Sequence, residues 1–250
     1  MRALALARWH EAYARLLELQ SDNGQLWSVR GRYHALRGRW ALAAADFARG
    51  ITSAPPDSEE CFEHACLRLI VGDNEGYRAF VQEMRRREGQ ASDPFVAYVL
   101  ARSCILTTKP LVEPDQVIRW AEAALQDGRR PWYLHVVGTA RYRAGHLDQA
   151  IKWLEESNTA WSNFNTNDDD KLQNRLVLAM VHERLGHAAQ ARNLLTEVQR
   201  AWQRILATKT DGAVSVQTPD WLPLQLLLHE AEALVLYDPV FPADPFASTH

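Results

Sequence analysis

The sequence predicts an all-α fold, a right-handed α-solenoid built from antiparallel helix hairpins. Three observations predict it. A small residue followed seven positions later by glycine recurs along the chain. In three of these units an alanine and a large apolar residue follow twelve and sixteen positions after the small residue, as Ala150 and Leu154 follow Gly138. Polar or Pro-containing stretches separate the recurring units. A hairpin of about 34 residues cannot bury its apolar face alone, so neighbouring units are expected to stack around one continuous core.

The clearest unit begins at Trp27, in the segment WSVRGRYHALRGRWALAAADFARGITSAPP. Its marked positions, at offsets 0, 4, 11, 13, 16, 20, 23 and 28, are Trp27, Gly31, Gly38, Trp40, Ala43, Phe47, Gly50 and Pro55. Gly31 and Ala43 are small where two helices are expected to cross, and Phe47 fills the space beside that crossing. Gly38 lies between the helices, where a residue that tolerates positive φ can end the first one.

The same spacing from small residue to glycine occurs four times, at Gly31–Gly38, Ala65–Gly72, Gly138–Gly145 and Ala179–Gly186. A fifth hairpin is expected around Ala101, where the turn LTTKPLVEP is longer and has no glycine. The five small residues are then 34, 36, 37 and 41 positions apart. The extra residues fall in polar or Pro-containing loops, where insertions cost little.

These residues resemble the tetratricopeptide repeat family over residues 1 to about 205. The resemblance predicts a single repeat domain over 1–238 and a Pro-rich tail over 239–250. It divides the domain into a partial repeat at 1–22, repeats at about 24–57, 58–92, 93–127, 130–160 and 170–205, and a capping helix at 221–237 that covers the last hairpin. An alternative for the tail is that Phe241 or Phe246 docks in the groove.

Several segments, among them RGRYHALRGRWALAAADFARGI and PWYLHVVGTARYRAGHLDQAIKWLEES, are similar to the helical array at the carboxyl end of large bacterial multidomain proteins. Some serine/threonine kinases and β-propeller proteins belong to that group. The similarity implies a signalling protein of which this chain is the interaction region. Because the first helix looks like the second half of a hairpin, either the natural protein begins with a lone packing helix or, as we expect, the chain is a piece of a longer polypeptide.

In the family, the first helices of successive hairpins line a concave groove. Carried over to this sequence, the groove positions are Ser28, Arg32, Phe62, Cys66, Tyr98, Arg102, His135, Thr139, Leu176 and Met180. The resemblance therefore implies a protein–protein interaction scaffold that binds a peptide or a neighbouring domain there. Arg32 and Arg102 have the charge needed to bind a carboxylate, but the Asn and Lys that complete a carboxylate clamp in the family are missing.

No catalytic residue, cofactor site or metal site is predicted, so the chain is not expected to be an enzyme. The segment HERLGH places His182 and His187 five residues apart, whereas a zinc helix needs histidines at i and i+4. On a helix the two rings would diverge by roughly 140°, and Gly186 breaks the helix between them. Cys61, His64 and Cys66 lack a fourth ligand for zinc. Asp168, Asp169 and Asp170 are expected to begin a helix rather than bind a cation.

Composition restricts the partners further. The net charge is −3, so no overall positive field favours nucleic acid. A nucleic-acid-binding helical solenoid stays open as the alternative, through basic clusters at Arg30, Arg32, Arg37 and Arg39 and at Arg85 to Arg87. Three cysteines are typical of buried thiols in a reducing compartment, and no apolar stretch is long enough for a membrane span. We therefore expect a cytoplasmic protein with a protein partner.

Overall fold

The computed structural model describes residues 12–53, 58–89, 93–163, 171–208 and 218–236. Within these ranges the chain is helical and has no strand, which confirms the all-α prediction. The helices are α1 (12–19), α2 (Gly24–Ala35), α3 (Trp40–Ser53), α4 (Ser58–Ile70), α5 (Asn74–Glu88), α6 (Pro94–Cys104), α7 (Pro114–Ala123), α8 (Pro131–Arg143), α9 (Leu147–Ser162), α10 (Leu172–Arg184), α11 (Ala188–Ala207) and α12 (Thr218–Val235). A single turn of 3-10 helix, Ala124–Asp127, follows α7.

Ten of these helices form five hairpins, which pair α2 with α3, α4 with α5, α6 with α7, α8 with α9 and α10 with α11. The first helices also contact one another along the array, from α4 to α6, α8 and α10. In the described part of the chain, no comparable contacts join successive second helices. Because helices on the inner side of a curved array lie closer together, α2, α4, α6, α8 and α10 form its concave face.

Four of the hairpin turns have the same glycine-centred geometry. Gly38, Gly72, Gly145 and Gly186 have φ angles of 70°, 81°, 83° and 79°. In each turn the residue after the glycine donates its N–H to the carbonyl five residues earlier, as Arg39 does to His34 at 3.0 Å. This pattern ends a helix with a residue in the left-handed region. The α6–α7 connection, residues 105–113, has no glycine and is longer, as the sequence predicts.

Replacing Gly186 with alanine is expected to lower the free energy of unfolding by about 1–2 kcal/mol, because an L residue is strained at this φ. A Cβ at Gly186 would meet no atom within 4 Å, so the loss reflects backbone strain alone. Urea unfolding measures it. Gly186→Asn should lose less, since asparagine tolerates the left-handed region, and equal losses from the two variants would contradict the explanation.

Small residues set the distance between paired helices. A Cβ on Gly31 would lie 2.6 Å from Cδ2 of Phe47, and one on Gly138 would lie 2.7 Å from Cγ of Leu154. Contacts this short are not tolerated in a packed interior. The glycines therefore allow Phe47 and Leu154, both fully buried, to lie directly against the facing helix.

Helix α12 is largely buried, although His229 and Ala233 are exposed. Its buried side chains are Trp221, Leu222, Pro223, Leu224, Leu227, Leu228, Ala231 and Val235. It contacts α10 and α11, as a helix covering the last hairpin would, and it also contacts α4 and α2. Helix α12 therefore bridges the two ends of the concave face, which the sequence did not predict.

Three expectations fall outside the described residues. They concern the first eleven residues of the partial repeat, the helix start at Asp168, Asp169 and Asp170, and the tail with Phe241 and Phe246.

Candidate functional site

The ten residues predicted to line the groove all lie on the concave-face helices, but little of that lining is open to solvent. Eight of them are buried, and they are Ser28, Phe62, Cys66, Tyr98, Arg102, Thr139, Leu176 and Met180. Arg32 and His135 are partly exposed. The groove positions are largely closed to solvent, because the concave face packs against itself and against α12. A binding role for these residues stays a prediction.

Arg32 pairs with a carboxylate from the next hairpin. Its Nη2 lies 2.6 Å from Oε2 of Glu63, and its Nε donates to both carboxylate oxygens at 2.9 and 3.0 Å. Glu63 is fully buried. A two-point contact of this kind orients both groups and offsets part of the cost of burying the charge. The pair therefore joins α2 to α4.

Arg102 is enclosed by aromatic rings and one carboxylate. Its guanidinium carbon lies 3.8 Å from the centre of the Phe62 ring and 4.6 Å from that of Tyr98. Nη1 donates to the Tyr98 hydroxyl at 3.1 Å, and Nη2 lies 2.7 Å from Oε2 of Glu59. That last approach is an ion pair without hydrogen-bond geometry. Within the described residues, Nε of Arg102 is buried and has no hydrogen-bond partner.

These contacts correct the idea that Arg32 and Arg102 are available to bind an incoming carboxylate. Glu63 and Glu59 already supply one to each. A ligand carboxylate would have to displace a carboxylate of the chain itself, which gains little net charge pairing. Capture of a terminal carboxylate therefore loses its main support.

His135 belongs to a polar network between α8, α9 and α10. Its Nδ1 lies 2.7 Å from Oδ1 of Asn174, which is buried. The amide nitrogen of Asn174 donates to Ser157 at 2.9 Å and to Asn158 at 2.8 Å, and Ser157 donates to the carbonyl of Pro131. Burial lowers the pKa of His135 to about 4, against the opposing effect of the Asn174 hydrogen bond. The imidazole is therefore neutral at pH 7.

Helix α12 makes both aromatic and polar contacts with the array. Trp221 stacks on Trp202 of α11, with ring centres 4.5 Å apart and planes 8° from parallel. Glu230 forms a two-point ion pair with Arg143 of α8, in which Nη2 lies 2.6 Å from Oε2. Burial raises the pKa of Tyr98 on α6, and the charge of Asp220 makes a smaller contribution. Helix α12 is therefore joined to α8 and α11.

These contacts involve residues that the sequence analysis missed, chiefly Trp202, Trp221, Arg143 and Glu230. The sequence contains one indication that α12 makes more contacts than a cap does. The segment WLPLQLLLHEAEALV has apolar residues on every side of a helix, whereas a cap needs only one apolar face. Neither the partner of Trp221 nor that of Glu230 can be deduced from spacing, since Arg143 and Glu230 are 87 residues apart.

The three cysteines are buried free thiols. Burial raises the pKa of Cys104 to about 12 and that of Cys66 well above its ordinary value. Since the thiolate is the reactive form, we expect no thiol to react with DTNB at pH 8 in the folded protein and all three to react in guanidinium chloride. Rapid reaction of one thiol in the native state would contradict this, and Cys61→Ser would identify it.

His64 is not placed to bind a metal. Its Nε2 accepts a hydrogen bond from Nε of Arg68 at 2.7 Å, and burial, followed by the charge of Arg68, lowers its pKa to about 3.

The structure corrects the expected divergence of His182 and His187. Because Gly186 reverses the chain, their Nδ1 atoms lie 3.3 Å apart. Throughout the described ranges, no three His, Cys, Asp or Glu side chains are grouped to hold a metal ion.

Among the helices that the structure describes, none is both long and apolar enough to cross a membrane.

The stacked hairpins, their glycine turns and the concave face of first helices define a helical-repeat protein with a tetratricopeptide-like fold. A solved structure supports this class: the hetero-tetramer Cut9-Hcn1 of the APC/C is similar to 94% of this chain with a TM-score of 0.56 and 14% identity. Yeast Tom70 aligns with 90% of the chain at 17% identity and a TM-score of 0.43. A MamA from Desulfovibrio magneticus RS-1 aligns with 73% at 12% identity, also with a TM-score of 0.43.

The chain covers 43% of the Tom70 chain, 44% of the Cut9-Hcn1 chain and 97% of the MamA chain. It therefore spans less than half the length of two of these three chains. No protein-family model matches the sequence, and no curated protein matches it.

Proposed function

We propose that this chain is a protein–protein interaction module that holds a helical segment of a partner protein, or of a neighbouring domain, along its concave face. One observation carries the proposal: the face already holds a helix, α12, between α4 and α10. A surface that encloses an apolar helix has the shape and chemistry needed for helix-in-groove recognition. The module would serve as a regulatory or assembly part of a larger, signalling protein, without an enzymatic activity of its own.

The chemistry of the face also suits a protein partner. It combines aromatic rings, aliphatic side chains and cations that are already paired, a mixture typical of the buried centre of protein interfaces. The similar Cut9-Hcn1 structure is a hetero-tetramer of two different proteins. By analogy of fold alone, an array of this kind can serve in protein assembly.

Nucleic acid is the weaker candidate, because carboxylates already neutralise several arginines of the basic clusters. Arg30 pairs with Asp46 at 2.6 Å, Arg32 with Glu63 at 2.6 Å and Arg86 with Glu83 at 2.6 Å. A paired cation contributes less to nucleic-acid binding, because that binding requires free cations that neutralise phosphates and release the counterions held by them.

The test is affinity capture with the full 250-residue chain from a nuclease-treated extract, followed by hydrogen–deuterium exchange on the purified complex. We expect a protein in a fixed molar ratio, and altered exchange in α4, α10 and α12. Exchange measures the opening of local structure, so it reports the surface that the partner covers. Recovery that depends on intact nucleic acid would support the rival, and protection confined to the outer helices would exclude the concave face.

A further inference from the structure

Helix α12 contacts the array through side chains that a separate helix could also supply. Trp221 stacks on Trp202, Glu230 pairs with Arg143, and the amide of Gln199 donates to Glu232 at 2.8 Å. Gln173 adds a weaker hydrogen bond at 3.4 Å to the carbonyl of Asp220. These contacts join α12 to α8, α10 and α11. The array therefore recognises α12 by a defined pattern, an aromatic residue followed nine positions later by a carboxylate.

The fit between α12 and the concave face is incomplete. Nε1 of Trp221 is buried and, within the described ranges, has no hydrogen-bond partner. An unsatisfied buried donor destabilises the folded state, so a competing helix that carried phenylalanine in place of Trp221 would avoid this cost and bind more tightly than α12 does. Helix α12, which carries tryptophan at this position, bears this cost.

We propose that α12 competes in cis for the partner site, and that the partner is an apolar helix with the α12 pattern, which displaces α12 from the concave face. Such a helix presents an aromatic residue to Trp202 and, nine positions later, a carboxylate to Arg143. The inference rests on the proposed function, because it names the class of partner. It also explains why an interaction surface is buried in the unliganded chain.

The competition has a measurable consequence. A site that is open for only a small fraction of the time binds its ligand with an affinity reduced by that fraction. Weakening the contact between α12 and the array raises the open fraction, and so increases the affinity for an added helix. Glu230→Lys does this selectively, because it places a cation opposite Arg143 on the partly buried side of α12.

The experiment measures fluorescence anisotropy of a labelled synthetic peptide, residues 218–236, added to the full chain. We expect Glu230→Lys to bind the peptide at least tenfold more tightly than the wild-type chain. His229→Lys is the matched control, because His229 is the exposed neighbour of Glu230 on the same helix. It should bind the peptide as the wild type does. A peptide carrying Glu230→Lys should bind the Glu230→Lys chain less tightly than the wild-type peptide does.

Circular dichroism and cooperative thermal unfolding establish that each variant is folded. If Glu230→Lys does not fold, Glu230→Gln, which removes the charge alone, replaces it. Equal affinity of all the chains for the peptide, or no binding to a folded Glu230 variant, would overturn the proposal. So would light scattering that shows exchange of α12 between two copies, since the occupant would then be a second chain. Capture of a protein partner tests the proposed function independently of the peptide.

Discussion

Replacement of Trp221 by alanine is expected to lower the free energy of unfolding by about 3–5 kcal/mol, the range for truncating a buried aromatic side chain. Trp221 is 3% exposed and lies flat against Trp202. Its removal leaves a cavity at the junction of α12 and α11 and removes the stacking contact. Urea unfolding gives the free energy, and hydrogen–deuterium exchange should show increased opening in α12 and in the helices that it covers.

Trp221→Phe separates the ring from the indole nitrogen. Phenylalanine keeps an aromatic surface against Trp202 and removes a buried N–H that has no acceptor among the described residues. We therefore expect it to lose much less stability than Trp221→Ala, since replacing an unsatisfied polar group by an apolar one recovers its desolvation cost. A loss from Trp221→Phe as large as that from Trp221→Ala would show that the indole nitrogen is hydrogen bonded in solution.

Acidification is expected to destabilise the fold between pH 6.5 and about 3. The pKa values of His64 and His135 fall to about 3 and about 4 in the folded chain, chiefly through burial. Between these values and the ordinary value near 6.5, the unfolded chain binds protons that the folded chain does not. Stability is therefore complete above pH 6.5 and decreases below it, by about 1.4 kcal/mol per pH unit for each histidine.

Urea unfolding at a series of pH values measures this slope. His64→Gln should be less stable than the wild type at pH 7, because it loses the hydrogen bond from Arg68, but its stability should depend less on pH below 6.5. The exposed His229 provides the control, and His229→Gln should keep the wild-type slope. An unchanged slope in both His64→Gln and His135→Gln would assign the acid sensitivity to other groups.

The hairpins could be predicted because their determinants are local. Gly38 and Gly186 end helices through their own backbone conformation, and Gly31 and Phe47 meet within one hairpin. Such features recur at fixed spacing, so the sequence displays them directly. The long α6–α7 connection was also visible, because the absence of glycine and the presence of two prolines exclude the short turn.

The closure of the concave face could not be predicted in the same way. The contacts that close it join distant parts of the chain, such as Arg32 with Glu63 and Arg143 with Glu230. The spacing of the groove positions indicates which helix face they share, but not what covers that face. The contact between His182 and His187 depends on how the chain reverses at Gly186, which a helical projection does not include.

The contacts of α12 with α2 and α4 also affect how the molecule folds. In an open repeat array each unit touches only its neighbours, so the units can unfold one at a time from the ends. Here residues near the carboxyl end of the described chain pack against helices from its first third. Such non-local contacts slow the final step of folding and couple the hairpins to one another. The hairpins can form as the chain leaves the ribosome, but cooperative stability must await the synthesis of α12.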